Sequence, residues 1–269
     1  MWTEINSALK SNCPALHCLA KRVAGPLLHG RVKIPVPKRL EGHVVWTQGR
    51  LLTSDPPEKH ILKWIAQSLP AGGVFFDVGA HYGWMAMAAA RKAGRRGRVV
   101  AFEASPPLIE VLRYHARVNR LRQVQVVHAA VSDVSAGSVP IFLLNQGLSC
   151  RNSITIGAPD VPYVTPQEKL CIQVPSISLD DFALSSGLAP DVIKIDVEGA
   201  ELLVLDGAED MLDRFRPTLI LASHPYWQPP SRRPEEIFDV LAKHRYRVSQ
   251  HYAIPFAGGE LADYLCLPT

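Results

Sequence analysis

From residue 73 onward, short apolar runs and helix-like segments take turns along the chain, and this alternation constrains the fold more than any other feature. "GVFFDVG" reads as a strand and residues 84–93 as a helix; "RVVAFEA" (98–104) is a strand and 106–121, opening on proline, a helix. Strands follow at 124–131 and 139–144. Then come a strand and short helix in "CIQVPSISLDDFAL", a strand, turn and helix over 190–208, and a strand at 217–224. A helix over 233–244 and strands in "YRVSQ" and "DYLCLP" complete the pattern. Uniformly apolar strands are buried on both faces, and strands separated by helices pair in parallel. The expectation is an α/β, doubly wound, mostly parallel sheet with helices on both sides.

Ligands of such sheets bind outside the carboxyl ends of the strands. Those ends carry Asp77, Glu103, Asp133 and Asp196. After the first, "DVGAHYGW" places Gly79 and Gly83 where backbone turns sharply or approaches a ligand, next to a helix N-terminus. Glu103 ends the second strand about 20 residues after Gly83, where an acidic side chain accepts from the two hydroxyls of a ribose. NAD and S-adenosylmethionine both carry that ribose. The turn lacks the middle glycine of G-x-G-x-x-G that admits a pyrophosphate, and the Asp77 carboxylate suits an ammonium group better than a phosphate.

Hydrophobic residues at 47% and charged residues at 20% are ordinary for a soluble globular protein, and a net charge of +4 does not by itself point to nucleic acid. The basic run "RKAGRRGR" (91–98) reads as a solvated helix end and loop. Five cysteines (Cys13, Cys18, Cys150, Cys171, Cys266) without a C-x-x-C predict free thiols in a reducing, cytoplasmic setting. No apolar run reaches the roughly 20 residues of a membrane span. Glu4, Lys10, Lys21 and Arg22 interrupt any signal-like core near the start. Residues 1–53 are expected to form an N-terminal extension packed on or beside the core, with two short strands within 32–50 and Gly42 and Gly49 as turn residues. Residues 54–269 form the main domain, opening on a helix with Asp55 as N-cap and Pro56 just inside.

Four segments, "DVGAHYG", "AFEASP", "SISLDDF" and "KIDVEGAELLVLDGA", occur in an order that resembles the FkbM family of S-adenosylmethionine-dependent methyltransferases, over roughly residues 44–225. The resemblance implies a class I, seven-stranded Rossmann-like domain, S-adenosylmethionine as cofactor, and a hydroxyl of a sugar or small natural product as acceptor. It implies that Asp77 and Gly79 hold the methionine part of the cofactor, with His81 and Gly83 in the same turn, and that Glu103 holds the ribose. Ser132 and Asp133 would lie beside the adenine, and Lys194, Asp196 and Glu198 would floor the place where cofactor and acceptor meet. The chain departs from the family pattern at His81, where asparagine is usual, and at Ala222, where an acidic residue is common. His224 and Pro225 keep the usual ending.

A sulfonium is already a strong methyl donor, so such a protein has to align a nucleophile and exclude water. A hydroxyl acceptor also gives up its proton as the bond forms. Asp196 is the first candidate for that base and His224 the second, with Glu198 and His81 behind them. Taken alone, Asp196 and Glu198 read better as caps of the helix after Gly199. Lys194, inside a buried strand, reads as the partner of a carboxylate. Residues 145–170, rich in Gly, Asn, Ser and Pro, are expected to shape the acceptor pocket, with Arg151, Asn152 and Ser153 as donors. No complete metal-ligand set is legible, and no pattern sets the oligomeric state, a homodimer included. The expected partner is a small-molecule or glycan acceptor and not nucleic acid, since the N/D-P-P-Y/F signature of base-amine methylation is missing. Two alternatives stand beside this one: an NAD-dependent oxidoreductase, disfavoured by the missing glycine, and a catalytically inactive cofactor-binding scaffold, disfavoured by the intact acidic strand ends.

Overall fold

The computed structural model describes residues 35–40, 43–48, 58–135, 137–144, 147–149, 152–154, 170–227, 231–256 and 259–269. The chain divides into two units, Met1–Pro56 and Pro57–Thr269. In the first, β1 (Pro35–Leu40) and β2 (His43–Gln48) pair as an antiparallel hairpin, the two short strands expected there.

The second unit runs α1 (Lys59–Ser68), β3 (Val74–Val78), α2 (Trp84–Ala93), β4 (Arg98–Glu103), α3 (Pro106–Val118), β5 (Val124–His128), β6 (Ala130–Val131), β7 (Ser138–Leu143) and β8 (Leu170–Ile177). It continues through α4 (Leu179–Ser186), β9 (Val192–Ile195), α5 (Glu201–Asp206), α6 (Glu209–Phe215), β10 (Thr218–Ser223), α7 (Glu236–Lys243), β11 (Tyr246–Phe256) and β12 (Gly259–Pro268). Seven strands form one sheet in the order β11-β12-β10-β9-β3-β4-β5. β12 is antiparallel to both of its neighbours and every other adjacent pair is parallel, so the sheet is doubly wound, seven-stranded and mostly parallel as expected. The chain starts at β3, moves outward to β4 and β5, and returns to β9 on the other side of β3. The strand order therefore reverses between β3 and β9, and a crevice opens at their carboxyl ends.

Alternation along the strands sorts the two faces of the sheet. Phe76, Val78, Val100, Phe102, Ile193, Ile195, Leu219 and Leu221 share one buried cluster with Phe182 of α4, Leu202 of α5, Leu212 of α6 and Leu241 of α7. Phe76, Phe102 and Phe182 meet edge to face, with centroids 4.8 to 5.7 Å apart, which adds about 1 kcal/mol per pair to their burial. The intervening positions, Asp77 and Lys194 among them, point to the opposite face. The amphipathic helix α1 buries Ile61, Leu62, Trp64 and Ile65.

Several boundaries depart from expectation. The run 124–131 is not one strand. After β5, Ala129 donates its N–H to Glu103 O and the chain leaves the sheet, so that β6 pairs instead with Ser176 and Ile177 of β8. β7 also stays out of the main sheet: with β6 and β8 it forms a three-stranded sheet around Ala130, Ile141, Leu143 and Val174. Helix α1 begins at Lys59 and has no side-chain cap at Glu58; Asp55 and Pro56 lie outside the described residues. Helix α3 stops at Val118, just before Arg120 takes a left-handed φ of 55°. "YRVSQ" and "DYLCLP" are parts of a much longer hairpin, β11–β12. Cys171 and Cys266 are free thiols, and the other cysteines lie outside the described residues.

The turn after α5 meets the segment that follows β6 at Gly207, where a Cβ would collide with the carbonyl oxygen of Ser132. Gly207→Ala is expected to lower stability by about 2–3 kcal/mol in urea denaturation. Gly187→Ala, whose Cβ would meet open space, should cost only about 1 kcal/mol, for placing a side chain at a φ of 70°.

Candidate active site

The crevice is built from three loops that leave the carboxyl ends of β3, β4 and β9. The first, Gly79 to Gly83, is held by backbone bonds from the N–H groups of Gly79 and Ala80 to Phe102 O at 3.1 and 2.9 Å. Gly79 and Gly83 have φ values of 79° and 81°, which favour glycine. At Gly79 a Cβ would strike the carbonyl oxygen of Asp196, so the β3 and β9 loops touch backbone to backbone there. Asp196 N in turn donates to Val78 O at 3.0 Å. Gly83 caps α2 and packs against Leu112 rather than facing the cavity.

The cavity spans about 550 Å³ including its open mouth, and its lining includes Gly79, His81, Glu103, Ala130, Asn152, Ser153, Asp196 and Glu198. Glu103 is 7% exposed, and its two oxygens accept the N–H groups of His81 and Ser105, each at 2.8 Å. Burial pushes its carboxyl up to about 7 despite these bonds. The same burial lowers His81 to about 4, which leaves its ring neutral beside Tyr82, with ring centroids 3.8 Å apart.

Beneath the crevice lies a compact set of charges. Lys194 Nζ sits 2.9 Å from Asp196 Oδ2 and 3.8 Å from Asp77 Oδ1. Burial alone would lower the lysine; the two carboxylates outweigh it and hold the ammonium well above its ordinary range. Asp77 is fully buried with no hydrogen-bond partner among the described residues, and burial raises its carboxyl. Burial acts the same way on Asp196, but Lys194 and His224 overcome it and the carboxyl ends up lowered. Neither Asp77 nor Lys194 is part of the cavity lining, and Lys194 bonds Asp196, which is.

The loop after β9 turns on unusual backbone: Glu198 has a φ of 54° and Gly199 of 101°. Glu201, fully buried in the first turn of α5, ties that loop. Its carboxylate accepts the N–H of Gly199 at 3.1 Å and of Val197 at 3.4 Å, and lies 2.7 Å from His224 Nδ1. The Nε2 atom of His224 lies 3.8 Å from Asp196 Oδ1 and 3.7 Å from Glu198 Oε2. Burial would lower His224, but the bond to Glu201 and the three carboxylates push it up to about 10. Sequence reasoning passed over Glu201, because a glutamate at a helix start reads as a dipole complement. It passed over Asp263 as well, which faces Ala222 across the β10–β12 ladder and bonds His60 Nε2 at 2.6 Å.

Other expected site residues are placed differently. Ser132 is buried and bonds Ser176 Oγ at 2.9 Å, Asp133 is exposed, and neither lines the cavity; Ala130 and Val131 take that wall. Asn152 and Ser153 line it, but their polar atoms serve the fold. Asn152 spans Leu144 N and Gly147 O, each at 2.9 Å, and Ser153 Oγ donates to Glu198 O at 2.7 Å. Arg151 and most of 145–170 lie outside the described residues. Asp180 caps α6 through the N–H groups of Asp210 and Met211.

The family described as Methyltransferase FkbM domain matches residues 77–248, more than half of the chain. No curated protein matches. Among solved structures, Trm5b from Pyrococcus abyssi is similar at 13% identity and a TM-score of 0.51, over 87% of this chain and 55% of that one. The methyltransferase FkbM of Methylobacillus flagellatus KT is 14% identical at a TM-score of 0.42, over 77% of this chain and 58% of that one. The M1A22 tRNA methyltransferase TrmK of B. subtilis is 13% identical at a TM-score of 0.41, over 77% and 65%. At these identities the likeness is one of fold.

Glu103 gives a pH test of the geometry. Its carboxyl titrates near 7 when folded and near 4.5 when unfolded, so the native state binds the extra proton between those values. Its contribution to stability is greatest below pH 4.5 and is lost as pH rises through 7. Urea denaturation should show wild type losing up to about 3 kcal/mol relative to Glu103→Gln between pH 4.5 and 8.

Proposed function

The chain belongs to the FkbM methyltransferase family and uses S-adenosylmethionine, and we propose that it methylates a hydroxyl oxygen of a sugar or small natural product. The observation that carries this reading is the backbone contact between Gly79 and Asp196, which sets the cofactor turn directly against a cluster able to receive a proton.

The residues fit the cofactor. Each Glu103 oxygen spends one lone pair on a backbone N–H and keeps another for a ribose hydroxyl. The carboxylates of Asp77, Asp196 and Glu198 outnumber Lys194, which favours a cation above them. The bound cofactor supplies an electrophilic methyl group on a sulfonium. Asp196 holds the acceptor hydroxyl and takes its proton, with its ring of partners fixed by Lys194. A lowered carboxyl is a weak base, yet it suffices, because the hydroxyl proton becomes acidic as its oxygen gains the methyl group. The imidazole of His224 stands beside Asp196, just after β10.

A small acceptor is favoured over nucleic acid by the position of the basic run. Arg98 opens β4 and Glu103 closes it, so the cations of 91–98 lie at the far end of the sheet from the cavity. No described helix is long and apolar enough to cross a membrane. Family membership sets aside the oxidoreductase reading.

Calorimetric titration with S-adenosylhomocysteine tests the assignment. Wild type is expected to bind, Glu103→Ala to bind at least tenfold more weakly, and Asp196→Asn to bind while losing about 10²-fold or more in methyl transfer across a panel of hydroxylated acceptors. A wild-type protein that ignored the ligand would overturn the reading.

A further inference from the structure

His224 is 8% exposed and its Nδ1 atom closes on Glu201 at 2.7 Å, yet its Nε2 atom makes no hydrogen bond among the described residues. That nitrogen is aimed between Asp196 Oδ1 at 3.8 Å and Glu198 Oε2 at 3.7 Å. Neither carboxylate closes to hydrogen-bond distance on that nitrogen. One ligand atom from each of Asp196, Glu198 and His224 lies within 4.8 Å of the others. Two ligands each about 2.1 Å from one ion stand at most about 4.2 Å apart, so both nitrogen–oxygen separations already fit.

We propose that Asp196, Glu198 and His224 form a binding site for one divalent cation at the mouth of the crevice. Glu201 acts as the outer carboxylate: it receives the Nδ1 proton of His224, fixes the tautomer that leaves Nε2 free to coordinate, and turns the ring toward the ion. Metal-binding histidines are regularly supported in this way. The local charge agrees: Lys194 bonds Asp196 and faces Asp77, and acidic groups outnumber basic ones among Asp77, Lys194, Asp196, Glu198, Glu201 and His224. Two carboxylates with one imidazole suit Mn²⁺, Fe²⁺ or Zn²⁺ better than Ca²⁺, which prefers oxygen alone. Three protein ligands leave open positions facing the cavity. The ion's use, to hold the acceptor oxygen beside the cofactor, rests on the methyl-transfer reading; its binding does not.

Mn²⁺ added to the chelator-treated full chain, followed by electron paramagnetic resonance, tests the site. One Mn²⁺ per chain is expected to bind, with spin-echo modulation from a directly coordinated ¹⁴N in the wild-type protein. His224→Gln should abolish that modulation, and both it and Glu198→Gln should weaken binding at least tenfold. Glu201→Gln should weaken binding 10- to 100-fold while the modulation persists. Glu110→Gln, on exposed α3, should change nothing. No uptake at millimolar Mn²⁺, or uptake without nitrogen modulation, would overturn the proposal. S-adenosylhomocysteine titration of the same sample separates the two readings: cation binding without cofactor binding would leave the site standing and remove its role in methyl transfer.

Discussion

The Lys194 ammonium, buried between Asp77 and Asp196, is the interaction on which the rest of the site depends. It stands on β9 directly opposite Asp77 on β3, where the strand order reverses. Among the described residues Lys194 is the one cation paired with Asp77, so removing it would leave a buried carboxylate without its counter-charge, at a cost of about 3–5 kcal/mol. The pairing also decides which loops meet. With β3 and β9 in this register, Gly79 arrives against the carbonyl of Asp196, and the turn after β3 and the loop after β9 become one surface.

A second knot sits one turn further along. Glu198 and Gly199 adopt left-handed backbone that a free chain would rarely hold, and the buried Glu201 carboxylate secures it by accepting from the loop's own N–H groups. The same carboxylate turns His224, which arrives from the neighbouring strand end. Ser153 completes the arrangement from outside by donating to Glu198 O. One acidic side chain that is not part of the cavity lining thus fixes both the loop after β9 and the ring that arrives from β10.

Much of this was legible before any coordinates. The alternation of strands and helices gave the winding, and the acidic strand ends marked the crevice. Lys194, placed between apolar neighbours on a buried strand, announced its own carboxylate partner. What escaped shares a physical cause. Asn152 and Ser153 are polar loop residues that look like donors for a ligand, but a turn consumes its own donors first, and composition does not reveal that. Ser132 and Asp133 follow a run that reads as a single strand; only the pairing of Ala130 and Val131 with Ser176 and Ile177 shows that the chain has left the main sheet. β11 and β12 extend far beyond their apolar cores because ladder bonds between two strands need no hydrophobic pattern to continue.

That departure at Ala129 divides the cavity wall between two sheets. Gly79, Glu103 and Asp196 belong to the seven-stranded sheet, whereas Ala130 and Ile141 belong to the three-stranded one, whose β7 and β8 also bracket residues 155–169. β7 pairs with β8 along its whole length, and that ladder is built separately from the seven-stranded sheet. Inheritance can therefore act on the two sheets separately: the smaller one can drift in sequence while the larger, with the acidic strand ends it carries, is left as it was.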